Sequence, residues 1–260
     1  MGAEFYNRKD VVKISKELLG KILVTNWKGV ITSGRIVECE AYAGVIDKAS
    51  HASGGRRTPR NEIMYGEGGY AYVYLCYGIH HLFNVVTNSR DIPHAILIRA
   101  LDPIEGIEEM LLRTNKKKLD HTLTRGPGNV SKALGIFTKH SGLSLLGDRI
   151  FIADDGGTYS KKEIAASPRI GVDYAGKDAL LPYRFYVKGN PFVSGKTEIK
   201  VQILTFDFFS LYFNFSVLTK RQVHFIPIKF FFIVRDPDGG YAIPDKICNG
   251  SCFRHKTIDT

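Results

Sequence analysis

The chain has 260 residues, 44% of them apolar and 24% charged, which suffices for one large domain or two small ones with a sizeable core. This composition excludes a wholly disordered, collagen-like or multi-span membrane protein. Thirty-six Lys and Arg against twenty-six Asp and Glu give a net charge of +10. Such a charge favours a polyanionic partner, with nucleic acid before an anionic membrane surface.

The first third of the chain predicts one helix, two strands and a long loop. Apolar residues at helical spacing predict a helix over 10–19 that ends at Gly20. Runs typical of strands follow at 21–25 and 34–40. The polar, glycine-rich stretch 44–69 is too long for an ordinary connection, and loops of this length are usually functional or disordered.

The next part of the chain is rich in short strands. Because such strands outnumber the helices, we predict an α+β fold, a single domain over 1–195 built around a curved antiparallel β-sheet with peripheral helices. The predicted strands are 70–86, 95–100, 149–153 and 183–187, and the predicted helices are 105–114 and 131–134.

Residues 196–260 form an atypical, Phe-rich C-terminal tail with ten of the sixteen phenylalanines. The stretch 201–219 has a single charge, Asp207, so a membrane span is one hypothesis. Gln202 and Asn214 oppose insertion, and we expect no membrane contact through the tail. The tail is an added element, a membrane anchor or the translation of a mis-spliced or frame-shifted gene, and its residues assign it no role.

The four cysteines are too few and too scattered for a disulfide scaffold. Cys39 and Cys76 lie in apolar or strand-like runs and are predicted to be buried thiols. Cys248 and Cys252 form a lone C-x3-C near His255, which is a weak zinc motif, and we expect no metal site. The N-terminus has no apolar secretory segment, so a reducing compartment is expected.

Three features between residues 35 and 99 carry chemistry. Glu40 ends an apolar strand, where partial burial would suit a general base. Arg56, Arg57, Thr58 and Arg60 lie in a glycine-bracketed loop suited to phosphates. Tyrosines alternate at 70, 72 and 74, so they share one face of a strand. An aromatic face beside a basic loop is typical of a protein that stacks an unstacked base and holds its backbone.

Each feature also has an ordinary structural interpretation. A glutamate at a strand end is more often solvated or ion-paired, and alternating tyrosines usually pack at the edge of a core. A histidine such as His51 in a polar loop is usually exposed, and an arginine-rich loop is often only a solvated surface. The functional interpretation gains weight because catalysis on a nucleobase needs all of these features together.

Several strings of residues resemble the alkyladenine (3-methylpurine) DNA glycosylase family. They occur in unbroken order from about Glu4 to Ser194, which makes the resemblance specific, whereas 196–260 match nothing in that family. The strings are 35–42, His51 through Asn61, Tyr72-Val73-Tyr74 with Tyr77-Gly78, 99–106, Arg125-Gly126-Pro127-Gly128 with 131–134, 169–172 and 184–191.

The resemblance implies a base-excision repair enzyme and assigns three catalytic positions. Glu40 matches the general base that deprotonates a water aimed at C1′ of the flipped nucleotide. Arg99 matches a residue that helps to hold that water, and Ile170 matches a position whose main-chain carbonyl does the same.

The resemblance also assigns the residues that contact the substrate. Tyr42, His51 and Tyr74 match a pocket that sandwiches the extruded base. Tyr77 matches a wedge that enters the duplex and fills the gap left by the base. Asn84 matches a pocket residue that crowds the exocyclic amine of normal guanine.

The expected activity is therefore a monofunctional DNA glycosylase that needs no cofactor and has no lyase step. Its expected partner is double-stranded DNA with damaged purines, and we expect a monomer inside the cell: in the nucleus of a eukaryote, or in the cytoplasm or nucleoid of a bacterium. Two other hypotheses remain: a catalytically silent damaged-DNA-binding protein on the same scaffold, and a basic protein held at a membrane by its tail.

Overall fold

A computed structural model describes residues 1–195 and, beyond them, only two short strands, Val234–Arg235 and Tyr241–Ala242, which pair antiparallel. The apolar run 201–219 and the C-x3-C at Cys248 lie outside the described residues. Within the described part of the chain, no helix is long and apolar enough to cross a membrane.

Residues 1–195 combine eight strands with four α-helices and several short 3₁₀ segments. The strands are β1 Ile22–Trp27, β2 Val30–Tyr42, β3 Ala71–Cys76, β4 His80–Thr87, β5 His94–Glu105, β6 Ile150–Ala153, β7 Ile164–Ser167 and β8 Arg184–Val187. The α-helices are α1 Ala3–Tyr6, α2 Val11–Leu18, α3 Ile107–Thr114 and α4 Pro127–Ala133. The 3₁₀ turns are Gly44–Ile46, Ser53–Gly55, Glu62–Tyr65, His121–Leu123, Thr138–His140 and Asp173–Leu180.

The eight strands form one curved sheet in which every pair of neighbours is antiparallel. Its main path runs β3-β4-β5-β2-β1-β6. Strand β2 is the longest, and β1 pairs with its first half while β8 pairs with its second half and also with β7. The predicted α+β architecture with peripheral helices is confirmed.

The two faces of the sheet have different roles because side chains alternate along each strand. Cys39, Phe83, Ile98 and Phe185 face the main hydrophobic core, which α2, α3 and α4 complete. The residues next to them in sequence face the other way. That second face carries the polar and aromatic side chains described below.

Local chemistry explains where α2 begins and ends. The Asp10 carboxylate accepts a hydrogen bond from the backbone N–H of Lys13 at 2.9 Å, which caps the first turn. Val11, Ile14 and Leu18 form the buried stripe. The helix ends just before Gly20 (φ +94°), a backbone conformation that favours glycine.

Most predicted elements are present with shifted ends. The predicted strand 70–86 is two strands joined by a turn at Tyr77, Gly78 and Ile79. Strand β5 continues to Glu105, where a helix was predicted, and the helix begins only after Gly106 (φ +72°). Strand β7 was not predicted, because its short sequence Ile-Ala-Ala-Ser lacks a strand pattern.

Candidate active site

The strand register brings one row of side chains together across five strands. Directly paired residues of antiparallel strands project to the same face, so their side chains are neighbours. On the face opposite the core, this row starts in the aromatic strand β3 and ends in β8. Its members are Tyr72, Asn84, Leu97, Glu40 and Arg184.

A β-bulge directs Arg99 into this row. Cys39 pairs with Ile98 and Glu38 with Ala100, so Arg99 is an extra residue in β5. A bulge locally redirects a side chain, and bulges are common next to active sites. The Arg99 guanidinium consequently reaches two carboxylates: Nε lies 3.1 Å from Oε1 of Glu38, and Nη1 lies 3.3 Å from Oε1 of Glu40.

Glu40 is completely buried, and three groups fix its carboxylate. The Tyr42 hydroxyl donates to Oε2 at 2.8 Å, and the backbone N–H of Ile170 donates to Oε1 at 2.9 Å. Arg99 supplies the third contact. Tyr42, Arg99 and Ile170 all line the central cleft of this face, so Glu40 lies directly beneath the wall of that cleft.

A second buried carboxylate, Glu38, holds Arg99 in place. Glu38 accepts from Arg184 Nε at 2.6 Å, from the Ser194 hydroxyl at 2.9 Å and from the Ser194 N–H at 2.6 Å. Burial lowers the pKa of Arg99, but the charges of Glu40 and Glu38 outweigh this effect and raise it. Sequence analysis gave Glu38 no role, although its alternation with Glu40 on one strand signalled a paired acidic face.

The segment that carries Ile170 is anchored by a buried ion pair. Arg169 donates to both carboxylate oxygens of Asp47, at 2.5 and 2.8 Å, and to the backbone carbonyl of Ala41 at 2.9 Å. Its guanidinium also lies 4.8 Å from the centre of the Tyr42 ring. Arg169 therefore orients two of the groups that contact Glu40, and sequence analysis did not single it out.

The central cleft has a volume of about 700 Å³ and aromatic walls. Tyr42 and Tyr74 both line it, and the His51 ring packs edge-on against Tyr74 with centroids 4.5 Å apart. The Tyr72 hydroxyl lies 2.7 Å from Nδ1 of His51 and fixes the histidine ring. A cavity of about 40 Å³ lined by Tyr42, His51 and Tyr74 also reaches Asn84. Flat rings of this kind suit a planar aromatic ligand.

Burial keeps the histidine and tyrosine rings of this site uncharged near pH 7. Burial first, and the nearby cations Arg60 and Arg56 second, together lower the pKa of His51 to about 4. Burial raises the pKa of Tyr72 to about 12 and raises that of Tyr74 as well. The Tyr42 pKa is raised by burial and by the Glu40 charge. The histidine is therefore a neutral ring near pH 7.

Asn84 is buried and rigid. Its side-chain N–H groups donate to the backbone carbonyls of Tyr72 at 3.1 Å and Leu82 at 3.2 Å. This fixes the amide plane, so the side-chain oxygen is the group left to meet a ligand in the small cavity.

Tyr77 lies at the tip of the β3–β4 hairpin on the rim of the cleft. Its side chain is 88% exposed, and its φ of +51° is unusual for a bulky residue. Gly78 follows with φ +73°. Strained backbone that presents an exposed aromatic ring is a feature that often accompanies function.

The four loop residues assigned to phosphates differ in their surroundings. Arg60 reaches the cleft, and its guanidinium lies 5.1 Å from the centre of the Tyr74 ring. Arg57 is already bound by Glu62 at 2.6 Å and Asp91 at 2.9 Å. Of the remaining two, Arg56 is exposed, whereas Thr58 is half-buried and its hydroxyl donates to the Asn61 side-chain oxygen at 3.0 Å.

Other residues of the cleft were not predicted. Tyr174 is 71% exposed, lines both the cleft and the small cavity, and donates to the Ala49 carbonyl at 3.1 Å. Cys76 lines the cleft and is half-buried, so the prediction of a buried thiol is wrong for Cys76 and confirmed for Cys39. The exposed end of strand β3 is the reason for this difference.

The fold and the site together define a protein that can hold a flat aromatic group beside a buried acid. Residues 4–191 match the family described as Methylpurine-DNA glycosylase. A relative from Bacillus cereus, strain G9842, is 49% identical over 195 residues, which is 72% of this chain and 95% of the relative. One from Clostridium perfringens is 43% identical over 204 residues, which is 75% of this chain and 99% of the relative.

Both of these relatives carry the name "Putative 3-methyladenine DNA glycosylase", as does one from Clostridium acetobutylicum that is 46% identical over 198 residues, 74% of this chain and 95% of the relative. The chain belongs to the methylpurine-DNA glycosylase family. The resemblance found in the sequence motifs is thereby confirmed.

Proposed function

We propose that this protein is a DNA glycosylase of base excision repair. It flips alkylated or deaminated purines out of duplex DNA and hydrolyses the N-glycosidic bond, leaving an abasic site. The substrates we propose are 3-methyladenine, 7-methylguanine, hypoxanthine and ethenoadenine. The observation that carries the proposal is the contact between Glu40 and Arg99 directly beneath a cleft walled by aromatic rings.

Glu40 is the proposed general base. Its Oε2 accepts one hydrogen bond, from Tyr42, and a carboxylate oxygen has two lone pairs, so Oε2 can also accept a proton from water. The water oxygen then bonds to C1′, the bond to the purine nitrogen breaks, and its electron pair leaves with the base. Arg99 and Ile170 are proposed to hold that water, Ile170 through its main-chain carbonyl.

The aromatic walls are the proposed base pocket. A purine between Tyr42, Tyr74 and His51 gains stacking, and an alkylated, positively charged purine also gains cation–π attraction. The low pKa of His51 supports this assignment because a charged imidazolium would repel such a base. We propose that Asn84 rejects normal guanine by crowding its exocyclic amine.

Tyr77 is the proposed wedge that fills the gap left in the duplex. Its exposure on the strained hairpin tip supports this role. Arg56, Arg57, Thr58 and Arg60 are the proposed contacts to the DNA backbone.

We propose that the reaction ends at the abasic site and needs no cofactor. A lyase step proceeds through a Schiff base with an amine, and no lysine of the described residues lines the cleft. A cationic alkylpurine is already a good leaving group, so positioning water and removing its proton is the main task.

The deciding experiment is a base-release assay on duplexes that each contain one of the four lesions. The unsubstituted chain should release the base and leave a strand that breaks only after alkaline treatment. Glu40→Gln should bind the same duplexes without releasing the base. Binding without release by the unsubstituted chain would instead favour the silent DNA-binding protein.

The remaining proposals concern the whole chain. We propose that residues 1–195 are the glycosylase domain, that residues 196–260 are a separate extension that does not contact a membrane, and that the protein acts as a monomer inside the cell. Sedimentation of the full chain alone tests whether it is a monomer, and sedimentation with lipid vesicles tests whether the extension contacts a membrane.

A further inference from the structure

A second concave surface, the basic groove, lies outside the central cleft. It has a volume of about 900 Å³ and is formed by the β1–β2 turn, the 3₁₀ turn Thr138–His140 and the start of β6. The side chains that characterise it are Trp27, Lys28, Phe137, Lys139, His140 and Arg149.

The groove carries uncompensated positive charge. Lys28, Lys139 and Arg149 are exposed, and none forms an ion pair with another described residue. Asp148 is the one acidic side chain among the groove residues described. Burial lowers the pKa of His140, and the charges of Lys139 and Arg149 lower it further, as expected in a positive local potential.

The aromatic residues make the floor of the groove rigid and partly apolar. The Trp27 and His140 rings stack with centroids 4.1 Å apart and planes at 18°. The Trp27 indole N–H donates to the Leu134 carbonyl at 2.8 Å, which fixes the ring. Phe137 remains 44% exposed and offers an apolar surface. Separate cations above an apolar floor match a sugar–phosphate strand, whose phosphates repeat and whose deoxyribose rings present C–H groups between them.

The basic groove adjoins the central cleft near the tip of the hairpin that carries Tyr77. His80 lines the cleft, and the next residue, His81, packs edge-on against Phe137 with centroids 5.2 Å apart. Nδ1 of His81 also accepts a hydrogen bond from the Thr138 N–H at 3.2 Å. The turn that forms one wall of the groove is therefore attached to the hairpin that forms one wall of the cleft.

We propose that the basic groove binds the sugar–phosphate backbone of duplex DNA flanking the nucleotide held in the central cleft. This inference rests on the proposed function, because a duplex in the cleft must continue past the hairpin. Lys28, Lys139 and Arg149 neutralise phosphates, and Phe137 contacts a deoxyribose. The groove thus lengthens the stretch of DNA that the protein contacts.

The test compares two triple variants of the full chain in a Glu40→Gln background, which keeps the lesion intact. The first, Lys28→Gln/Lys139→Gln/Arg149→Gln, removes three charges from the groove. The matched control is a triple glutamine variant of exposed lysines around a different groove, beside α2, which also form no ion pair with described residues. Those control lysines are Lys13, Lys16 and Lys161.

Affinity is measured by fluorescence anisotropy over a range of salt concentrations. The probes are a short hypoxanthine duplex of about 8 base pairs and a longer one of about 25. On the longer duplex, the groove variant should bind about tenfold more weakly, and the slope of log K against log salt should fall in magnitude by about 2 to 3, since each lost phosphate contact changes it by about 0.9. The control variant should keep the parent affinity and slope, and on the short duplex both variants should match the parent.

Two outcomes overturn the proposal: an equal effect of both triple variants, which indicates only overall charge, and an unchanged salt slope of the groove variant. The base-release assay on the unsubstituted chain separates this result from failure of the proposed function. If that chain releases no base but the groove variant still shows the length-dependent loss, the groove contact stands and the glycosylase proposal falls.

Discussion

The backbone N–H of Ile170 donates a hydrogen bond to Oε1 of Glu40 at 2.9 Å, although 130 positions separate the two residues. The contact joins the loop after β7 to the C-terminal end of β2. It depends on the buried Arg169–Asp47 pair next to it, whose side chains are 0% and 1% exposed. Part of the geometry around Glu40 is therefore set by Arg169, which does not touch it.

Arg169→Met should reduce base release more than tenfold and lower the free energy of unfolding by about 3–5 kcal/mol, since it leaves the Asp47 charge buried and unpaired. The double variant Asp47→Leu/Arg169→Met should recover much of the stability, because no unpaired charge remains. It should not recover base release, since Tyr42 and Ile170 still lack their anchor. Urea denaturation and the base-release assay measure the two effects, and recovery of both together would contradict the positioning role.

Glu38→Gln should weaken base release while duplex binding changes little. The substitution keeps the shape of the side chain but leaves Arg99 and Arg184 with a neutral partner, so the Arg99 guanidinium is no longer held between two carboxylates. Losing this buried charge pairing should also destabilise the fold by about 3–5 kcal/mol.

The matched control for Glu38→Gln is Glu62→Gln at the exposed pair with Arg57. An exposed ion pair contributes about 0–1 kcal/mol, so this variant should unfold at nearly the same urea concentration as the parent. Equal effects of the two substitutions would show that burial of Glu38 is not what makes it important.

The depressed pKa of His51 predicts how stability depends on pH. An unfolded histidine titrates near pH 6.5, whereas His51 in the folded chain titrates at about 4. Between these pH values the unfolded state binds more protons than the folded state. The contribution of His51 to the stability of the fold is therefore present above pH 6.5 and is lost as the pH falls towards 4. His51→Phe should flatten the dependence of the unfolding midpoint on pH over this range, and an unchanged slope would contradict the prediction.

The end of the glycosylase domain is predicted to lie beyond the family match, which stops at residue 191. Ser194 donates two hydrogen bonds to Glu38, and Val193 is fully buried. A chain that ends at Gly195 should therefore fold and release bases. One that ends at Asn190 should lose most of its activity, because Glu38 loses two donors and the core loses an apolar side chain.

Circular dichroism and base release on the two shortened chains decide this point. Ser194→Ala in the full chain is the matched substitution, and it should give a smaller loss because the backbone N–H remains. A fully active chain that ends at Asn190 would place the boundary earlier.

Much of the fold follows from local sequence patterns. Alternation predicts that Tyr72 and Tyr74 share one face of a strand, and helical spacing predicts α2 with its end at Gly20. The ends of elements were less predictable. At Glu105, for example, the next residue, Gly106, adopts a left-handed backbone conformation, and this single residue decides where β5 ends and α3 begins. The short strand β7 is stabilised by its partner β8, and such pairing is invisible in four residues of sequence.

The sequence by itself determined the family, the antiparallel α+β class and the aromatic, basic and acidic residue types of the site, because these depend on side-chain periodicity and on motifs of a few adjacent residues. Only the tertiary structure decided which groups meet: the bulge that directs Arg99 to two glutamates, the Arg169 anchor, and the Arg57 side chain held by its own acidic neighbours. The physical reason is that hydrogen bonds and ion pairs act over about 3 Å, whereas the residues that form them lie far apart along the chain.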